Sequence, residues 1–209
     1  MTKKRNRCRK RRKRKETGQT AHASLAGFAP LIASQGIFEA IHHQVEIGQK
    51  QLTYRPSDKL IFVVLGLLVG CEHIDEINHR LRPDKVLLSA FGYDSCADQS
   101  VIQDTLDGCV EENVVQLKEV LRSLYVEHNQ SQALVREAIE QVKTITIDMD
   151  LTGRPTSEHA EGAKKGYFSG KRGIYGRQLA RVLVADTHEI IAEELYPGNR
   201  LSCQVLGEM

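Results

Sequence analysis

The spacing of apolar residues divides the chain into a helical first part and a strand-rich last part. The clearest helical stripe lies between residues 98 and 127, where apolar positions follow at steps of four, three, four and three: Val110, Val114, Leu117, Leu121 and Leu124. This period predicts one long helix whose stripe packs in a core. Other helices are predicted at 55–71, 73–84, 85–92 and 131–142, and the small, polar residues at 16–36 predict a linker that runs into a first short helix.

After residue 142 the pattern becomes that of strands. The β-branched run at 144–147 begins one strand, and two apolar runs at 179–185 and 189–195 flank the turn signal Asp186-Thr187-His188. Such a pair of runs predicts a β-hairpin, here leading into a Pro-Gly-Asn turn at 197–199. The sequence therefore predicts an α+β fold with three parts: a basic disordered arm at 1–18, a helical domain at 19–142 and a strand-rich domain at 143–209.

Two carboxylates interrupt the first predicted strand, in the stretch "TITIDMDLTG" at 144–153. Because alternate residues of a strand point to the same side, Asp148 and Asp150 are expected side by side. Asp is uncommon in strands, and a buried unpaired charge is costly, which favours a functional role. Paired carboxylates are suitable ligands for a divalent cation. The structural alternative is that both residues cap or form ion pairs at a strand end.

Positive charge is concentrated at the start of the chain. Of 29 Lys and Arg residues, 11 lie between residues 3 and 15, and the remainder of the chain carries 18 basic against 27 acidic residues. A basic arm on an acidic body is typical of a protein that meets nucleic acid, although a solvated tail without a partner has the same composition. The predicted DNA-binding residues of the arm are Lys3, Lys4, Arg5, Arg7, Arg9, Lys10, Arg11, Arg12, Lys13, Arg14 and Lys15.

A second basic segment follows the acidic strand, with the sequence "EGAKKGYFSGKRGIYGR" at 161–177. It reads as a glycine-rich loop, in which glycines permit close approach of a partner and Tyr167, Phe168 and Tyr175 offer surfaces for stacking on bases. A plain exposed loop is the alternative. The residues predicted to contact DNA are Lys164, Lys165, Lys171, Arg172 and Arg177, with Arg154 just upstream.

Cysteine usage and hydropathy restrict the compartment. The five cysteines are scattered and form no Cys-x-x-Cys pair, which predicts free thiols in a reducing compartment. The longest apolar run, at 60–70, is well short of the roughly 20 residues that cross a bilayer. We therefore expect a cytoplasmic, nucleoid-associated protein without a membrane partner.

The motifs taken in order resemble the DDE transposases of bacterial insertion sequences. The likeness rests on "TIDMDLTG", "EGAKKGYFSGKRGIYGRQLARVLV" and "ELYPGN", with a weaker likeness in the upstream "GCEHIDEINHRLRPDKVLLSAFG". The resemblance implies a helical DNA-binding region at 19–142, followed at 143–209 by the first strands of an RNase H-like α/β catalytic core. Such a core binds Mg²⁺ or Mn²⁺ and cuts and joins double-stranded DNA at the ends of the element. The resemblance also implies Asp150, in the form Asp-x-Thr, as the first catalytic metal ligand, with Asp148 as a neighbouring or alternative ligand.

The same resemblance implies a second Asp and a Glu beyond the hairpin, and the strands that would hold them are not found in the 209 residues. We therefore expect a truncated transposase that binds DNA but is inactive alone and holds no metal tightly. A homodimer is one assembly that such a protein can form. One alternative is a non-catalytic, regulatory DNA-binding protein. Another is an Asp-x-Asp glycosyltransferase, which would require an α/β domain before the motif.

Overall fold

The computed structural model describes residues 18–50, 53–141, 143–168, 170–205 and 207–208. The basic arm at 3–15 lies outside these ranges. The chain divides into two compact units, one that ends at Arg122 and one that begins at Ser123.

Within the described residues, nine α-helices and four strands confirm the predicted α+β class. The helices are α1 Ala23–Ser34, α2 Ile37–Gln44, α3 Pro56–Leu68, α4 Ile77–Arg80, α5 Lys85–Ala90, α6 Gln99–Asp107, α7 Glu111–His128, α8 Ser131–Gln141 and α9 Ser202–Val205, with a 3₁₀ turn at Ile74–Glu76. The strands are β1 Ile147–Pro155, β2 Lys164–Phe168, β3 Lys171–Val184 and β4 Ile190–Pro197.

The first unit is helical and is built around α3. This helix begins where the sequence predicts, because Pro56 occupies its first position and Asp58 accepts a hydrogen bond of 2.8 Å from the Arg55 backbone N–H. Phe62 is fully buried and makes edge-to-face contacts with Tyr54 and Tyr93, at ring-centroid distances of 5.5 and 4.9 Å. These contacts tie α3 to the segments on either side of it in the chain.

The predicted linker at 16–36 is wrong for most of its length, because α1 occupies residues 23–34. Its Ala and Leu residues favour a helix, and Gly36, at φ 75°, provides the left-handed turn into α2.

Among the described residues, no single helix is both long and apolar enough to cross a membrane. The pair of α1 and α2, bent by 55° at their junction, passes that test of length and composition together.

The long helix predicted at 98–127 is two helices. Gly108 ends α6, and the Val110 backbone N–H donates to the Asn113 side chain at 3.0 Å as α7 starts. The predicted stripe is also not the buried face: Val110, Val114 and Leu121 are 61, 49 and 62 % exposed, whereas Asn113 and Val120 are buried. The face that packs inward is therefore rotated from the one that the apolar spacing predicts.

The second unit contains a four-stranded antiparallel sheet with the long strand β3 at its centre. Residues 176–184 of β3 pair with β1, residues 177–183 with β4 and residues 171–176 with β2. The predicted hairpin is confirmed: β3 and β4 are joined by a turn in which His188 has a φ of 56°.

Burial alternates along β3, so the sheet has a core face and an open face. Val182 and Val184 lie on the core face, where Ala180, Met149 and Leu151 also line a small cavity with Val205 of α9. The open face consists of the half-buried residues of β3 and their partners on β1. Its residues are Asp148, Asp150, Thr152, Arg154, Arg177, Leu179, Arg181 and Leu183.

The glycine-rich segment predicted as a loop is instead β2 and the first half of β3. Gly170 and Gly173, at φ 78° and 76°, serve the turn and the irregular pairing of this hairpin. Other glycines permit close approach within the protein: a Cβ at Gly166 would lie 2.1 Å from the Gly198 carbonyl oxygen, and one at Gly176 would lie 2.6 Å from the Arg154 carbonyl oxygen. The glycine content is thus explained by the sheet itself.

Candidate nucleic-acid interface

The two strand acids lie on the same face of the sheet, as the sequence predicts, and that face is the open one. Asp150 is directly opposite Arg181 of β3, and Asp148 is opposite Leu183. Residues directly opposite each other in an antiparallel pair project from the same side of the sheet. Thr152 donates a hydrogen bond of 2.7 Å from its hydroxyl to Asp150 Oδ2. The Asp148 side chain has no hydrogen bond or ion pair with any residue that the structure describes.

Both acids are exposed, so the argument that a buried charge requires a function does not hold. β1 is an edge strand, and charged side chains on edge strands deter pairing with other chains. The presence of two acids on β1 therefore has a structural explanation. The argument for a functional role of Asp148 and Asp150 therefore depends on the residues around them.

Two acids of the β3–β4 hairpin, Glu193 and Glu189, already have partners. Arg181 holds Glu193 of β4 in an ion pair of 2.6 Å. Glu189 accepts hydrogen bonds from the backbone N–H groups of Gln130 and Ser131 and from the Ser131 hydroxyl, at the start of α8. These bonds, that from the Ser131 hydroxyl above all, lower the pKa of Glu189 from its ordinary value. Neither acid is free to join Asp148 and Asp150.

The described residues do not assemble a two-metal site. No group of three or more His, Cys, Asp or Glu side chains in that part of the chain could hold a metal ion. Mg²⁺ in enzymes is commonly held by one or two carboxylates together with phosphates of the substrate. Asp148 and Asp150 could supply only the carboxylates of such a site. Further carboxylates for two metals would have to come from residues other than those described.

The β2–β3 hairpin brings basic and aromatic residues to the same open face. Lys165 is opposite Tyr175 and Tyr167 is opposite Arg172, because the pairing shifts between Gly166 and Tyr167. The Lys165 Nζ lies 5.2 Å from the centroid of the Tyr175 ring. Lys165, Tyr167 and Arg172 thus continue the face that carries Asp150.

The remaining residues of the predicted basic set are divided between the two faces. Arg177 lies on the open face, directly opposite Arg154. Lys164 is opposite Gly176 and Lys171 is opposite Phe168, on the other side of the hairpin. All of the Lys residues in this set are exposed, and no ion pair with a described residue neutralises them.

The three aromatic residues predicted to stack on bases differ in accessibility. Phe168 is 2 % exposed, with its ring between Gly153 and Gly176, so it cannot stack on a base. The Tyr175 ring is half-buried and lies under Lys165. Tyr167 is 62 % exposed and is the accessible ring.

Arg154 and Arg177 form an unusual pair, since like charges directly opposite each other destabilise a sheet. The Arg177 guanidinium is held in place by the protein: it donates at 3.4 Å to the Leu195 carbonyl oxygen, and a Cβ at Gly162 would lie 3.3 Å from its Nε. That Nε is buried and has no hydrogen-bond partner among the described residues. The pair is a concentration of positive charge between the hairpin and the acids.

Sequence reasoning missed Arg181, which shares a row with Asp150 and Glu193. A signal for it was present, because Arg177 and Arg181 are separated by an even number of residues and must share a strand face.

Comparison with protein-family models, with curated proteins and with solved structures found no match.

Proposed function

We propose that this protein binds DNA in the transposition of an insertion sequence, and that its sheet presents the DNA backbone to Asp148 and Asp150. One observation carries the proposal: the two acids share a single sheet face with Arg154 and Arg177 and with two basic residues of the β2–β3 hairpin, Lys165 and Arg172. Basic residues that no acid neutralises gain from contact with phosphates, because each contact releases counterions.

The arrangement of strands supports an RNase H-like origin for the second unit. Such a core begins with an acid-bearing strand followed by an antiparallel hairpin, and β1, β3 and β4 form a sheet of that kind with β3 in the middle. The basic arm at 3–15 would add a second, sequence-independent contact with DNA.

Asp150, with Asp148 beside it, is proposed as the contribution of this chain to a site for Mg²⁺ or Mn²⁺. Two carboxylates are too few for a two-metal phosphoryl-transfer site. We therefore propose that the 209-residue chain binds DNA without cutting it, and that cleavage requires acids from outside the described residues. A homodimer stays a prediction.

The alternative of a non-catalytic, regulatory DNA-binding protein differs from this proposal only in the role of Asp148 and Asp150. In that case, their charges would serve to deter other chains from pairing with the edge strand β1. A glycosyltransferase is less compatible, because the described residues before β1 contain helices and no alternating strands.

The test is duplex DNA binding by the full chain, measured by fluorescence anisotropy. Lys165→Ala with Arg172→Ala should weaken binding several-fold and reduce the salt dependence by about two phosphate contacts. The matched control, Lys85→Ala with Arg136→Ala, removes two exposed basic residues from helices and should leave both unchanged. Equal effects from both double variants, or no binding by the parent chain, would contradict the proposal.

A further inference from the structure

We infer that the open face of the sheet holds a single, unpaired DNA strand, with one base stacked on Tyr167 and a backbone phosphate between Arg154 and Arg177. The inference rests on the proposed DNA-binding function and specifies the form of DNA that this face takes.

The aromatic residues distinguish a single strand from a duplex. A duplex keeps its bases stacked inside and presents phosphates, for which lysines and arginines suffice. The open face instead offers a ring that is 62 % exposed, at Tyr167, next to Arg172. Exposed aromatic residues interleaved with basic ones are how proteins hold unpaired bases, because every base has a face that can stack.

The side of the sheet from which Tyr167 projects is fixed by the burial of the next residue. Phe168, the next residue, is buried against Gly153 and Gly176, which anchors β2 to the sheet. Alternation along β2 then requires Tyr167 to project from the opposite side, which is the open face. The buried ring thus orients the exposed one.

The arginine pair suits a phosphate. Arg154 and Arg177 are directly opposite each other in the pairing of β1 with β3, and the Arg177 guanidinium donates a hydrogen bond to the Leu195 carbonyl oxygen. A phosphate between the two guanidinium groups would remove their repulsion and accept charge-assisted hydrogen bonds.

The dimensions also fit. Rows on one face of a strand are about 7 Å apart, so the row of Tyr175 and the row of Arg181 are separated by roughly 20 Å. Half-exposed Leu179 lies between the arginine pair and Asp150 and offers apolar contact to a base. This length is a track for a few nucleotides, similar to the smallest single-strand sites of other proteins, which hold about 4.

The test compares two fluorescein-labelled probes with the full chain: a thymidine oligonucleotide of about 12 nucleotides, within the usual range of such sites, and a blunt duplex of equal length. Measurements at about 0.2 M salt reduce the contribution of phosphate contacts. We expect tighter binding of the single strand. Tyr167→Ala should weaken single-strand binding about tenfold and duplex binding less than twofold, since stacking of one base is lost.

Two variants make the result specific. Tyr167→Phe keeps the ring and should bind the single strand like the parent chain. Phe28→Ala removes an aromatic side chain of similar exposure, 59 %, from α1 and should change neither affinity. Circular dichroism checks that each variant is folded.

Equal affinity for both probes, or a Tyr167→Ala variant with unchanged single-strand binding, would overturn this inference and leave DNA binding intact. If the chain bound neither the single strand nor the duplex, the proposed function would be overturned as well.

Discussion

The ring of Phe168 occupies the space that a side chain at Gly153 would need: a Cβ at residue 153 would lie 2.5 Å from Phe168 Cδ1. Gly176 is equally necessary, because a Cβ there would lie 2.8 Å from Phe168 Cζ. Two glycines on neighbouring strands thus make the pocket for one ring on β2. This packing fixes which face of the hairpin carries its basic and aromatic side chains.

We predict that Gly153→Ala destabilises the sheet by about 1–3 kcal/mol, the usual range for an added group that forces a packed core to shift. The measurement is urea unfolding followed by circular dichroism. Gly27→Ala is the control: no atom lies within 4 Å of a Cβ at Gly27, in α1, so the substitution should be neutral or slightly stabilising. Equal stability of the Gly153→Ala variant and the parent would show that the ring is not confined as described.

The hydrogen bonds from the start of α8 to Glu189 should make stability depend on pH. They lower the pKa of Glu189 in the folded state, so its stabilising contribution is present above the ordinary value of 4.5 and is lost as the pH falls through the lower folded value. Glu189→Gln should therefore lower the urea midpoint at pH 7, and the difference from the parent should shrink in acid.

Glu140→Gln is the control for that experiment, because Glu140 is an exposed acid on α8 whose carboxylate has no hydrogen bond or ion pair with any residue that the structure describes. It should unfold like the parent at both pH values. A Glu189→Gln difference that is independent of pH would contradict the assigned cause.

The basic arm should contribute DNA binding that does not depend on nucleotide sequence. Deleting residues 1–15 removes 11 basic side chains, which should weaken binding to any duplex and flatten the dependence of affinity on salt by about 0.9 per lost phosphate contact. Anisotropy titrations at several salt concentrations measure both quantities. An unchanged affinity and slope would show that the arm does not touch DNA.

The two strand acids should make DNA binding sensitive to Mg²⁺. Without divalent ions, Asp148→Asn with Asp150→Asn removes two exposed negative charges from the open face and should strengthen DNA binding at low salt. Added Mg²⁺ should strengthen binding by the parent chain more than binding by this double variant, because the parent retains the carboxylates proposed as ligands.

Glu158→Gln with Glu161→Gln is the matched control, since it removes two exposed acids between β1 and β2. Its response to Mg²⁺ should equal that of the parent. If both double variants respond alike, the acids of β1 have no special role with metal. Nicking of DNA ends by the parent chain would refute the proposal that it binds without cutting.

Local sequence was enough to predict most individual elements. Pro56 with Asp58 marks the start of α3, and Asp186-Thr187-His188 marks the turn between β3 and β4. Each of these signals acts over a few residues, so each can be recognised without the rest of the fold. The α+β class and the shared face of Asp148 and Asp150 follow from the same local rules.

Local periodicity failed where tertiary packing chose between possibilities. The stripe from Val110 to Leu124 predicts a buried helix face, yet contacts with other segments bury Asn113 and Val120 instead. A helix has a best apolar face in isolation, but the neighbours that are present decide which face is covered.

The amino acids alone indicate which chemical groups this protein carries: a basic arm, a pair of strand acids and a segment rich in basic, aromatic and glycine residues. The folded chain was needed to show that this segment is a hairpin, that Phe168 is buried while Tyr167 is exposed, and that Arg154 is opposite Arg177 in the pairing of β1 with β3. The reason is that strand register is set between distant segments, and a shift of one residue would move every side chain of a strand to the opposite face.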